Sequence, residues 1–151
     1  MLKSYFDHEK ERKKKGIPPL PLNPQQVAEV CEGLENPYEG KGNILFDLLS
    51  QRIPPGVDPS AKVKAEWLGR IAKGQCSSPL IDEKKAIFLL GTMLGGYNIK
   101  PLISLLSHDQ LAHEAAQALK NTVLIYNSFD EIVDLAQNNE FAQEVLDSWA
   151  E

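Results

Sequence analysis

The chain has 151 residues, a mass of 16.8 kDa, a formal net charge of −5 and a pI near 5.3. That length suits one domain with a real core, and the acidic balance argues against a protein built as a whole to bind nucleic acid or a membrane surface. Apolar runs stay well short of the roughly 20 residues a spanning helix needs, and the start MLKSYFDHEKERKKK is charged rather than apolar, so no membrane segment or secretory leader is expected and the cytoplasm is the default location.

Almost every segment carries the 3.6-residue period of an amphipathic helix, and none alternates with period two. Residues 2–15 are expected to form a highly charged helix ended by Gly16. The stretch 17–22, IPPLPL, is an extended, proline-stiffened strap. Asn23 is a natural cap for a helix with Pro24 in its first position, and Val27, Val30, Cys31 and Leu34 follow as one apolar stripe. A helix from about Asn43 to Arg52 carries Ile44, Leu45, Leu48 and Leu49, and RIPPGVDPS interrupts it. Asp58 and Pro59 start the next helix, whose inner face is formed by Ala61, Ala65, Leu68, Ile71 and Ala72 before Gly74 stops it. Asp82 caps a helix with Ala86, Ile87, Leu90 and Met93 on its stripe, and Ile99, Leu102, Ile103 and Leu106 repeat the pattern. Ser107–Gln110 and Ser128–Glu131 match the capping box, and a last helix begins near Asn139 with Phe141, Val145, Leu146 and Trp149. The fold class is all-α: about eight short amphipathic helices in antiparallel neighbours, arranged as a HEAT-like array or as a bundle, in a single domain over 1–151 with helical pairs spanning 24–150.

Candidate chemistry is sparse. GTMLGGYN, residues 91–98, places Gly91 and Gly96 at phosphate-loop spacing, but Tyr97 and Asn98 stand where Lys and Ser/Thr are required. Its glycines are better explained as a junction, with Gly95-Gly96 ending one helix and Asn98 capping the next. His108 and His113 are five residues apart and do not share a helix face, so a metal pair is not expected. The basic run Lys10 to Lys15 lacks interleaved aromatics for stacking bases and reads as a helix C-terminus that complements the macrodipole, which makes RNA an unlikely partner. There is no nucleophile–base signature, and two distant cysteines, Cys31 and Cys76, cannot alone hold an iron–sulfur cluster. No catalytic, cofactor-binding or metal-binding residue is expected. The surface that remains for a partner is made by two turns, Pro54-Pro55-Gly56-Val57 and Gly95-Gly96-Tyr97-Asn98, with Tyr97 as the natural anchor.

Several blocks carry a family resemblance. Ala86-Ile87, Leu89-Leu90-Gly91-Thr92-Met93, Gly95-Gly96-Tyr97-Asn98-Ile99 and Pro101-Leu102-Ile103 resemble the N-terminal domain of the bacterial aconitase B family. So do Gly16-Ile17, Pro19, Pro21-Leu22, Pro54-Pro55-Gly56-Val57-Asp58, Val63-Lys64-Ala65, Ile71-Ala72-Lys73-Gly74, Ser78-Pro79-Leu80 and Ser148-Trp149-Ala150, in the same order. The resemblance implies a HEAT-like domain that precedes the catalytic domains of a longer polypeptide, helps wall a tunnel to the active site and takes part in protein contacts, including iron-linked homodimerisation. It further implies that the parent enzyme interconverts citrate and isocitrate through cis-aconitate and hydrates 2-methyl-cis-aconitate on a [4Fe–4S] cluster. The cluster cysteines of that family lie far downstream, and neither Cys31 nor Cys76 matches them. Two readings stay open: a domain that docks on catalytic domains, and a stand-alone helical binding or regulatory protein whose partner is a protein or RNA.

Overall fold

The computed structural model describes residues 2–122 and 128–150. Nine α-helices occur among them, and no strand: α1 Lys3–Lys14, α2 Pro24–Glu35, α3 Gly42–Gln51, α4 Pro59–Ala72, α5 Glu83–Gly91, α6 Ile99–Leu105, α7 Ala112–Lys120, α8 Phe129–Ala136 and α9 Glu140–Ala150. Among the described residues no helix is long and apolar enough to cross a membrane.

Local chemistry starts most of these helices where expected. Asn23 Oδ1 accepts from Gln26 N at 2.8 Å while Gln26 Oε1 accepts from Asn23 N at 2.9 Å, a reciprocal box at the start of α2. Asp58 and Asp82 cap α4 and α5 through Ser60 N at 2.8 Å and Lys85 N at 2.7 Å. Asn139 Oδ1 accepts from Ala142 N at 3.1 Å, and its Nδ2 donates to Leu106 O at 2.9 Å, so one side chain opens α9 and ties it to the end of α6.

Two expected capping boxes do not form. Ser128 sits before α8 with φ −76° and ψ −8°, a helical backbone that carries its hydroxyl away from the first amides, and it makes no cap bond. Ser107–Gln110 lies in turns instead: His108 O accepts from Leu111 N and Ala112 N at 3.2 and 2.9 Å, which moves the helix start to Ala112 and leaves Leu111 in the cap position.

The apolar stripes decide the packing. α2 packs on α3 and α4, α4 on α5 and α6, α5 on α7, α7 on α6 and α9, and α8 on α9. Successive pairs thus stack in two rows, α2–α4–α6 and α5–α7–α9, joined by the rungs α4–α5, α6–α7 and α8–α9. This is an array rather than a bundle about one axis. A continuous core runs through it from Val27, Leu34 and Leu68 to Leu90, Leu102, Leu119 and Val145. The rows approach closely where small residues allow: a Cβ on Gly91 of α5 would lie 2.9 Å from Ala118 Cβ of α7 and 3.0 Å from its Cα. α1 and the strap are fastened at the open end. Arg52 Nη2 donates to Pro19 O at 2.9 Å, its Nε donates to Tyr5 Oη at 3.2 Å, and Ser60 Oγ donates to Leu22 O at 2.8 Å.

Candidate functional site

The two turns singled out in the sequence lie far apart along the chain, yet the fold sets them against each other. Gly56 N donates to Met93 O at 3.2 Å. A Cβ on Gly96 would lie 2.9 Å from Gly56 O and 3.3 Å from Val57 Cγ1. Gly56 and Gly96 have φ of +77° and +85°, so the close approach and the backbone conformation both select glycine. Leu94 also has positive φ, +70°, and with Gly95 and Gly96 it bends the chain sharply from α5 into α6.

Only part of this region reaches solvent. Val57 is 54% exposed and Tyr97 39% exposed, Pro55 is exposed, and Pro54 and Gly96 are half-buried. Gly56 and Gly95 are buried, and so is Asn98 at 0% exposure. The expectation that Asn98 caps α6 is overturned. Its backbone is helical, φ −78° and ψ −18°, which turns the side chain away from the first amides of α6. Instead its Nδ2 donates to Leu90 O at 2.6 Å, a carbonyl at the end of α5 that also accepts from Met93 N at 3.2 Å. Asn98 therefore locks the junction from inside, and Gly91 is a helix-crossing residue rather than part of a stop.

Val57 and Tyr97 share the rim of a cleft of about 580 Å³ between α4 and α6, with Glu66, Lys73, Lys100 and Pro101 around them. One carboxylate and two ammonium groups thus surround the two apolar side chains. Under the 54–57 turn lies a smaller cavity of about 210 Å³ that includes Ser50, Pro54, Pro55, Lys64, Thr92 and Met93. Lys64 is 4% exposed, and burial pulls its amine from an ordinary 10.5 down to about 8. Sequence reasoning missed it, although the signal was present: position 64 sits at i+3 from Ala61 and i−4 from Leu68, on the inner stripe of α4.

A second apolar cleft, about 600 Å³, lies between α5 and α7 and was not expected. Its most exposed apolar side chain is Phe88, at 70%, an aromatic that falls off the core stripe of α5. His113 borders this cleft while His108 borders another beside Asn138 and Asn139, so the two histidines do not converge. The Lys84 Nζ–Glu114 Oε1 ion pair, at 3.3 Å, stands at the same cleft; a backbone hydrogen bond at Glu114 itself, aided by Lys84, holds that carboxyl below its ordinary range.

The residues of this chain do not fit an iron–sulfur cluster. Cys31 is buried in α2, and the loss of water pushes its thiol up to about 12, so it stays protonated at neutral pH. Cys76 is half-buried, and burial raises its thiol too. A cluster needs three or four thiolates or imidazoles at one place. Among the described residues no group of three His, Cys, Asp or Glu side chains is placed to hold a metal ion.

Comparison with known proteins decides the family. The model of the aconitate B N-terminal domain matches residues 4–151. The chain belongs to the aconitate B N-terminal domain family. Aconitate hydratase B of Escherichia coli is 49% identical over 152 residues, and that of Synechocystis sp. is 48% identical over 153, each match covering 100% of this chain and 18% of the relative. The enzyme of Helicobacter pylori is 48% identical over 153 residues, covering 99% of the chain. The chain thus spans less than a fifth of the length of these relatives.

Proposed function

We propose that this chain is a non-catalytic interaction domain of an aconitate hydratase B polypeptide, docking on that polypeptide's catalytic domains through the Val57–Tyr97 rim. One observation carries the reading: two exposed apolar side chains from distant turns are brought to one cleft on a chain whose described residues assemble no metal-binding group. Pro54, Pro55, Gly56, Gly95, Gly96 and Asn98 set the position of that rim, while Val57 and Tyr97 make the contact. Docked there, the domain walls the substrate path and helps assemble the enzyme. The interconversion of citrate and isocitrate through cis-aconitate, the hydration of 2-methyl-cis-aconitate and the [4Fe–4S] cluster all belong to the longer polypeptide. This chain supplies no reacting group.

The test is calorimetric titration of the 151-residue chain into the separately produced remainder of the enzyme. Truncating an anchor in a desolvated contact weakens binding by about tenfold or more, the loss expected for Tyr97→Ala and for Val57→Asp. Wild-type affinity in both variants would sink the assignment of the surface, and measurable aconitase turnover by the chain alone would sink the non-catalytic reading.

A further inference from the structure

The small cavity beneath the 54–57 turn has an unusual lining. Lys64 comes from the core-facing stripe of α4, where Ala61, Ala65 and Leu68 are fully buried beside it. The ion pairs formed among the described residues involve Lys15, Lys84 and Lys120, not Lys64, and no hydrogen bond reaches its amine there. Ser50 Oγ, in the same lining, is buried without a hydrogen-bond partner. The ionisable neighbour that acts on Lys64 is Cys31, and its thiol carries no charge at neutral pH. The Ser50 hydroxyl has therefore lost water without gaining a partner, and the Lys64 side chain is almost wholly covered with no ion-pair partner among the described residues. Buried donors are normally satisfied, and a buried cation is normally paired.

The rest of the lining narrows the chemistry of what is missing. Pro54 and Pro55 carry no backbone N–H, and Met93 offers only apolar surface. No arginine borders the cavity, and its one cation is Lys64. A phosphate dianion calls for several convergent donors, whereas a carboxylate is matched by one ammonium and one hydroxyl. A volume of about 210 Å³ is enough for a single small acid or one inserted acidic side chain.

We propose that this cavity is a carboxylate-binding site in which the Lys64 ammonium pairs with one carboxylate and Ser50 donates a hydrogen bond to it. The carboxylate comes either from a small carboxylic acid in solution or from an Asp or Glu of the polypeptide beyond this domain. This goes beyond the docking reading, because the first source needs no partner.

Two arms separate the sources. In the first, amide resonances of the 151-residue chain are followed by NMR during titration with acetate, succinate and citrate, against chloride at matched ionic strength. Saturable shifts at residues 50–56 and 92–94 are expected, with affinity reduced about tenfold or more in Lys64→Met and by a smaller factor in Ser50→Ala, which keeps the charge. In the second, the same two variants are titrated into the remainder of the enzyme. A loss of affinity there, with no saturable response to free acids, assigns the carboxylate to the polypeptide. Saturable shifts with free acids assign it to solution. Shifts that match chloride, together with wild-type docking by both variants, overturn the proposal. Failure of the wild-type chain to dock overturns the docking reading alone, and the free-acid titration then decides this one.

Discussion

Lys64→Met is expected to stabilise the isolated chain, although it removes a charged group that the sequence places in a helix. Lys64 is 4% exposed and its amine is lowered from 10.5 to about 8 by burial. Below pH 8 both folded and unfolded chains hold the proton, so the full cost of burying the ammonium is present. Between about 8 and 10.5 the folded chain has lost that proton while the unfolded chain still binds it, so stability rises with pH across this window. The gap corresponds to about 3 kcal/mol at neutral pH, at 1.36 kcal/mol per pKa unit. Methionine fills similar volume without the charge, so the variant is expected to gain about 1–3 kcal/mol, up to the cost that the pKa gap measures. Urea unfolding at pH 7, 8, 9 and 10 checks both the sign and the window. Cys31 acts in the opposite sense, because a thiol raised from 9.0 to about 12 makes stability fall as pH climbs above 9. The diagnostic quantity is therefore the difference between wild type and Lys64→Met. It should be largest at pH 7 and shrink toward pH 10. A variant less stable than wild type at pH 7, or a difference flat with pH, would refute the argument.

Other outcomes follow from the same packing. Gly96→Ala puts a Cβ 2.9 Å from Gly56 O on a backbone with φ +85°, so the two turns must separate; thermal unfolding should show a loss of about 2–4 kcal/mol. Gly91→Ala forces α5 away from the backbone of Ala118 and is expected to cost about 1–3 kcal/mol, measured the same way. Asn98→Ala removes the 2.6 Å bond to Leu90 O and should cost about 1–2 kcal/mol, together with faster hydrogen exchange at the start of α6. A thiol reagent at pH 8 should modify half-buried Cys76 first and reach Cys31 only on unfolding; equal rates would contradict the burial of α2.

Much of the fold is decided locally. Asn23, Asp58 and Asp82 sit directly before apolar stripes and cap the helices that follow, because a side-chain oxygen and the amides two or three residues on meet in any context. The stripes likewise determine which face each helix buries, as Val27, Val30, Cys31 and Leu34 show. The same local logic failed at Ser128 and Asn98, where a helical backbone carries the side chain away from the cap, and at Ser107, where turns closed on His108 O move the helix start to Ala112. The family resemblance was also open to the sequence, since LLGTM and GGYNI persist whatever their geometry.

What the chain by itself could not determine is which turns meet and which of their residues stay in water. Gly56 and Gly96 are 40 positions apart, and nothing local to either says that the other's backbone lies at contact distance. Tertiary packing alone separates Val57 and Tyr97, left at the rim, from Asn98, drawn inside as an internal brace. It also turns Lys64 from one more solvated lysine into an ammonium without a counter-charge. Sequence periodicity can place a lysine on an inner stripe, but only the neighbouring helices and turns decide whether water or an acid can still reach it.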